Sequence, residues 1–134
     1  TELLPILEMP DLEFVNLQYG NVFDQLVDLE RRTGVVIQQY REIDNFSDLD
    51  GLTSLIDACD FVVSTCNSTA HFAGALGKET YLLAPLRGKA QQWYWASFGG
   101  PESPWYPSVS VFHQGEGRDW QNPISKIKQK ILLK

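Results

Sequence analysis

The residues best suited to chemistry form one short polar segment that directly follows an apolar run. Asn67, Ser68 and Thr69 stand side by side, and His71 comes two residues after Thr69. Amide and hydroxyl side chains of this kind cap the start of a helix, and the free N–H groups of a first helical turn bind anions. The segment therefore predicts a binding site for a phosphate or diphosphate group.

A strand, a turn, a helix and a second strand are needed to position this segment, and residues 60–83 predict all four. Phe61–Val63 has the composition of a short strand covered on both faces. Residues 71–76 are compatible with a helix, which Gly77 would end. Residues 80–83 predict the next buried strand. The unit is a βαβ motif whose helix starts at the carboxyl edge of the sheet.

Each candidate residue has both a functional and an ordinary explanation. The backbone N–H groups of Thr69, Ala70 and His71 would point out of the sheet edge toward an anion. The hydroxyls of Ser68 and Thr69 could equally do no more than cap the helix. A single histidine one turn inside a helix is often a packing residue, so His71 is either a ligand contact or part of the core.

Composition excludes several classes of partner. The chain has 134 residues, 43% of them hydrophobic and 21% charged, which is typical of a single globular domain. The net charge of −6 argues against a nucleic acid or an anionic membrane surface as the main partner. No apolar run reaches the roughly 20 residues of a membrane span. Because the chain begins at Thr1, we expect it to be a fragment of a longer protein.

The two cysteines and two histidines indicate neither a disulfide nor a metal. Cys59 and Cys66 flank the Phe61–Val63 strand, so we expect free thiols, a reducing compartment and a cytoplasmic location. His71 and His113 lie far apart in sequence, and no group of residues has the spacing of metal ligands. We expect no metal and no cofactor.

Strands and helices alternate along most of the chain. This alternation predicts an α/β fold with three Rossmann-like layers (αβα) and a mostly parallel sheet of about five strands. The strand at residues 61–64 should be central and lie beside residues 80–83. Further strands are predicted at 12–17, 35–37 and 109–112, and helices at 22–32, 49–59 and 123–133. The closing helix should turn Ile124, Ile127, Ile131 and Leu132 inward.

A long segment rich in aromatic residues, proline and glycine interrupts this alternation after residue 83. A loop of this length in a compact domain is usually functional or disordered, and its aromatic content argues against disorder. We expect Trp93, Trp95 and Trp105 to pack against the domain with well below average exposure. If most of them project into solvent, they mark a surface that another part of the protein covers.

Several ordered motifs resemble one family. The chain is similar to the C-terminal half of bacterial GT-B glycosyltransferases of the family-9, heptosyltransferase-like type, which is often fused behind tetratricopeptide repeats. A looser likeness extends to the catalytic region of O-GlcNAc transferase. The resemblance covers most of residues 12–122. It is carried by Leu17–Gly20 (LQYG), Cys66–Gly77 (CNSTAHFAGALG), Trp93–Trp95 (WYW), Ser103–Pro107 (SPWYP), Phe112–Gln114 (FHQ) and Trp120.

The resemblance implies a nucleotide-sugar donor domain, one half of a GT-B fold that lacks its first strand. Asn67, Ser68, Thr69, Ala70 and His71 would then contact the diphosphate. Gln18, in the loop after the first strand, would contact the same ligand. The partner implied is the N-terminal half of the same protein, which would bind the acceptor and supply the general base. No catalytic residue is therefore assigned to this chain, and alone it should be inactive.

One departure from the family pattern leaves alternatives open. Family members commonly carry an aspartate where this chain has Cys66. This favours a second interpretation, a non-catalytic binding or scaffolding domain of the same fold within a tetratricopeptide-repeat protein. A third interpretation is an unrelated phosphate-binding domain such as a flavodoxin-like regulator, although such a domain has no use for the tryptophan-rich segment. Fold likeness alone does not establish which is right.

Overall fold

A computed structural model of the protein describes residues 2–86, 93–95 and 103–134. The fold is α/β, with three Rossmann-like layers, as predicted. The described strands are β1 (Phe14–Val15), β2 (Ile37–Gln38), β3 (Val62–Thr65), β4 (Thr80–Ala84) and β5 (Val109–His113). The described helices are α1 (Leu4–Leu7), α2 (Phe23–Thr33), α3 (Leu49–Ala58), α4 (Ser68–Ala75) and α5 (Gln121–Leu132). A 3₁₀ turn spans Trp93–Trp95.

All strand pairs in the described residues are parallel, but they form two sheets. β1 pairs with β2, and a separate three-stranded sheet has the order β3–β4–β5. The prediction of one continuous five-stranded sheet is therefore wrong in its pairing. The short β1 and β2 contain two residues each, so their ladder is brief.

The predicted neighbours β3 and β4 do lie side by side, with Val62 opposite Thr80. However, β4 rather than β3 is the middle strand of the three-stranded sheet. The physical reason is composition. Every residue of β4 is buried, whereas β3 runs into the polar residues Ser64 and Thr65, of which Thr65 is exposed.

Two hydrophobic layers cover the opposite faces of the three-stranded sheet. On one face Tyr81, Leu83 and Phe112 pack with residues of α1 and α5. On the other face Leu82 and Val111 pack with Ala70 of α4. Because the side chains of consecutive strand residues point to opposite faces, one strand contributes side chains to both layers. Helix α3 adds Leu52 and Ile56 to the α4 side, against Val62 and Ala73.

Local capping signals place the helix ends close to their predicted positions. Gly34 follows α2 with a φ of 75°, and Gly77 follows α4 with a φ of 71°, a left-handed conformation that glycine adopts without strain. At the start of α3, the carboxylate of Asp48 accepts a hydrogen bond from Gly51 N at 2.8 Å. In α5, Ile124, Ile127 and Ile131 are buried as predicted. Leu132 is exposed, contrary to prediction, because it lies about 100° around the helix from the buried Ile131.

The three tryptophans of the aromatic segment have different environments. Trp95 is buried, with 1% of its surface exposed, as predicted. The prediction is wrong for Trp93 and Trp105, which are 71% and 57% exposed. Their indole rings contact each other edge to face, with centroids 6.0 Å apart. Trp95 packs on the sheet with Leu82 and Val111, whereas Trp93 and Trp105 pack on each other.

Both cysteines are free, as predicted, and burial raises the pKa of each thiol. Among the helices in the described ranges, none has the length and apolar composition required to cross a membrane.

Candidate anion-binding site

The turn between β3 and α4 is built around the side chain of Asn67. Its backbone is extended, and its Oδ1 accepts a hydrogen bond from Ala70 N at 3.3 Å. The hydroxyl of Ser64 donates to the same Oδ1 at 3.2 Å. The Nδ2 group of Asn67 donates to Thr65 Oγ1 at 3.4 Å. Asn67 is thus a true N-cap, and α4 begins at Ser68, so His71 lies one turn inside the helix as predicted.

The predicted site residues fall into two groups at this turn. Ser68 is exposed, whereas Thr69 is only 5% exposed and Ala70 is fully buried. The N–H groups of Ser68 and Thr69 lie in the first turn, where a helix provides no internal acceptor. The N–H of Ala70 is already used by the Asn67 cap. The turn therefore offers an anion the two first N–H groups and the Ser68 hydroxyl, and fewer donors than the sequence predicts.

His71 lies one turn further along α4 in an aromatic cluster. Its ring centroid is 4.5 Å from Trp95, 5.1 Å from Tyr94 and 5.7 Å from Tyr106. Its Nδ1 atom is 3.2 Å from the Tyr106 hydroxyl, which leaves Nε2 as the nitrogen available to a ligand. Burial lowers the pKa of His71 below its ordinary value of 6.5. His71 is therefore a packing residue whose Nε2 atom has no hydrogen-bond partner among the described residues.

The lowered pKa of His71 predicts how the free energy of unfolding depends on pH. Between the folded-state pKa and 6.5, the unfolded chain binds a proton that folded His71 does not. The free energy of unfolding should therefore rise with pH across that window and fall as the pH drops through it. The ring signals of His71 followed by NMR should titrate at lower pH in the folded protein than in the urea-unfolded chain. Equal or higher values in the folded protein would contradict the assignment.

Tyr106 reaches His71 because α4 carries a glycine where the two elements meet. A Cβ atom added to Gly74 would lie 2.5 Å from Tyr106 Cγ, well inside van der Waals contact. The backbone of Tyr106 is held by a hydrogen bond from its N–H to Ser103 Oγ at 3.3 Å and by another from Val109 N to its carbonyl oxygen at 2.9 Å. The sequence did not identify Tyr106 as a site residue. The only signal was its place in the SPWYP motif.

Cys66 is the residue at which the sequence departs from the expected family pattern. Its thiol lies 3.8 Å from the carbonyl oxygen of Leu83 and packs against the α4-side hydrophobic layer. Burial raises its pKa, so it is a neutral thiol at neutral pH. The turn consequently has no carboxylate to repel an anion at this position.

Among the described residues, Gln18 makes no hydrogen bond to the turn. It follows β1 and lines a cleft of about 440 Å³ with Asn45, Arg41 and other residues. Asn16 Oδ1 accepts hydrogen bonds from Gln18 N and Gln18 Nε2 at 3.1 and 3.2 Å. Asn45 Nδ2 donates to the Gln18 carbonyl oxygen at 3.1 Å, across 27 residues of sequence. These bonds hold the Gln18 loop to the segment after β2, rather than to α4.

Two buried polar atoms in this region have no hydrogen-bond partner among the described residues. They are Asn45 Oδ1, whose residue lines the cleft, and Asn16 Nδ2, whose residue holds the Gln18 loop. Buried polar groups usually have a partner, either protein or ordered water. Neither Asn16 nor Asn45 was identified from the sequence, because no local pattern distinguishes them from ordinary loop residues.

No group of three histidine, cysteine, aspartate or glutamate residues within the described ranges could hold a metal ion. At the turn, the first N–H groups of α4 and the Ser68 hydroxyl can donate hydrogen bonds to an anion.

The comparisons with known proteins find one relative over most of the chain. Protein FlbA of Caulobacter vibrioides is 32% identical over 123 residues, which cover 92% of this chain. Those residues make up 20% of FlbA, so the chain spans about a fifth of that relative's length. No family model matches the chain, and no solved structure matches it.

Proposed function

We propose that this chain is the nucleotide-sugar-binding part of a glycosyltransferase and that the turn from Asn67 to His71 holds the diphosphate of the donor. The observation that carries the proposal is the start of α4, which places an exposed serine and two free N–H groups at the carboxyl edge of a parallel sheet. Open α/β sheets commonly bind phosphorylated ligands at that edge. The motifs that resemble the GT-B family support the identity of the ligand.

We expect the turn to bind the diphosphate with moderate affinity. The helix end contributes typically ~0.3–1 kcal/mol to binding of an anion when exposed and up to about 2 kcal/mol when partly buried. Hydrogen bonds to a charged group add roughly 1.5–3 kcal/mol each before desolvation is subtracted. We therefore propose micromolar affinity. The cleft lined by Gln18 and Asn45 has amide groups suited to a nucleoside, and we propose it as the place of the remaining donor.

We propose further that transfer requires a second half of the same protein. That half would bind the acceptor and provide the general base, and turnover by the chain alone would contradict this. The family resemblance supports this division into a donor half and an acceptor half. The match covers only 20% of FlbA, so that relative is long enough to contain a second half.

A second candidate function is a non-catalytic binding or scaffolding domain. Two observations favour it: the thiol of Cys66 in place of the usual carboxylate, and the exposed indole rings of Trp93 and Trp105. Exposed aromatic patches often mark protein interfaces. This candidate predicts no affinity for nucleotides.

Replacing Ser68 by aspartate separates the two candidates. Ser68 is exposed, and a carboxylate in the first turn of a helix is stabilising, so folding should be unaffected or slightly improved. The new charge would occupy the N–H groups and repel a diphosphate. Calorimetric titration with UDP, GDP, ADP and CDP should find one that binds the unmodified protein, and S68D should lower that affinity at least about tenfold, or about 1.4 kcal/mol.

The matched control is S68N, which has nearly the same shape without the charge. Its affinity should remain clearly above that of S68D, because the asparagine amide can donate a hydrogen bond where the Ser68 hydroxyl did. Equal affinity in S68D would mean that the turn is only a helix cap. Failure of all four nucleotides to bind the unmodified protein would favour the scaffolding function.

A further inference from the structure

We propose that Tyr106 is a positioning residue, which holds His71 in the tautomer that carries its proton on Nε2 and so presents an N–H donor to an anion at the α4 turn. The role toward the anion rests on the proposed function above. The tautomer itself follows from the geometry of the ligand-free protein.

The first argument is the chemistry of the contact between the two side chains. His71 Nδ1 and the Tyr106 hydroxyl are 3.2 Å apart, within hydrogen-bond distance. A phenol is a stronger acid than a neutral imidazole N–H, and an imidazole lone pair is a stronger base than a phenol oxygen. The favoured arrangement is therefore O–H donating to Nδ1. A neutral imidazole whose Nδ1 accepts must carry its proton on Nε2.

The second argument is that both partners are held in place. The His71 ring packs on Trp95, which is almost completely buried, with centroids 4.5 Å apart. Tyr106 is fixed by Ser103, a buried residue whose hydroxyl oxygen accepts from Tyr106 N, and by its close approach to Gly74. Neither ring can turn away without losing packing. The hydrogen bond therefore selects a tautomer of a ring that is already oriented.

The consequence for the site concerns which atom meets the ligand. With the proton on Nε2, a neutral His71 donates a hydrogen bond and needs no positive charge to attract an anion. With the proton on Nδ1, the Nε2 atom would instead present a lone pair, which repels a phosphate oxygen. A single hydroxyl on a segment 35 residues away thus decides whether His71 favours or opposes an anion.

The tautomer can be read directly by long-range ¹H–¹⁵N NMR of the histidine rings in the ligand-free protein. His71 should show a protonated Nε2 and a hydrogen-bonded, unprotonated Nδ1. His113 is an internal reference with the opposite expectation, because its Nδ1 lies 3.2 Å from the Pro85 carbonyl oxygen, which can only accept. Two histidines with opposite tautomers in one spectrum is the expected result.

The variant Y106F removes the hydroxyl and keeps the ring. It should shift the Nδ1 signal of His71 toward that of a nitrogen without a hydrogen bond and leave His113 unchanged. Titration with inorganic pyrophosphate should show a several-fold weaker affinity, while the melting temperature stays close to that of the unmodified protein. The matched control is Y94F, since Tyr94 contacts the His71 ring but makes no hydrogen bond to it in the described structure.

An Nδ1-protonated His71, or a His71 spectrum that is identical in Y106F, would overturn the proposal. An unchanged pyrophosphate affinity in Y106F would overturn the role toward the anion. These outcomes differ from a failure of the proposed function, in which the nucleotides do not bind although the NMR signature of His71 is as expected.

Discussion

Replacing Trp95 by alanine should lower the free energy of unfolding by about 3–5 kcal/mol, the range found for buried aromatic residues. Trp95 is 1% exposed and packs with Ala70, Leu82 and Val111 between α4 and the sheet. Its removal would leave a cavity in the α4-side hydrophobic layer, between the regular backbones of α4 and the sheet. Urea unfolding followed by circular dichroism measures the change.

Trp93, two residues away, is the control for this experiment. It lies in the same 3₁₀ turn but is 71% exposed, so W93A should change the free energy of unfolding by no more than about 0.5 kcal/mol. Equal losses in W95A and W93A would mean that the two side chains are equally buried in solution, contrary to the structure.

Replacing Gly74 by alanine has the second largest expected effect, and its sign is opposite to the usual one. Glycine to alanine inside a helix normally stabilises by roughly 0.5–1 kcal/mol. Here the new Cβ would lie 2.5 Å from Tyr106 Cγ and 2.9 Å from Tyr106 Cβ. The tyrosine has to move, and overpacking of this kind costs about 1–3 kcal/mol. We expect G74A to be less stable, and its His71 signals should change as they do in Y106F.

Two further variants test whether contact with Tyr106 causes the expected loss of stability in G74A. A75G, at the exposed next residue of α4, should lose about 0.5–1 kcal/mol through helix propensity alone. In a Y106A background the cost of G74A should shrink, and the difference measures the coupling between the two residues. A gain in stability for G74A alone would show that Tyr106 does not pack over Gly74.

The local structure of the chain follows from its local sequence. The order of strands and helices, the positive φ of Gly34 and Gly77, and the cap at Asn67 were all predictable, because each depends on residues within one or two turns. The sequence also predicts His71 one turn inside α4, which begins at Ser68. These features involve short-range hydrogen bonds and side-chain alternation.

The arrangement of the site was decided by tertiary structure. Nothing in the sequence shows that Tyr106 pairs with His71, or that Asn45 binds the Gln18 loop, since these contacts span 35 and 27 residues. Trp95 is buried and Trp93 is exposed, although both are tryptophans and lie two positions apart. Burial depends on which side chain meets the sheet once α4 is in place. Sequence patterns record which elements form, whereas contacts between distant segments depend on how those elements pack.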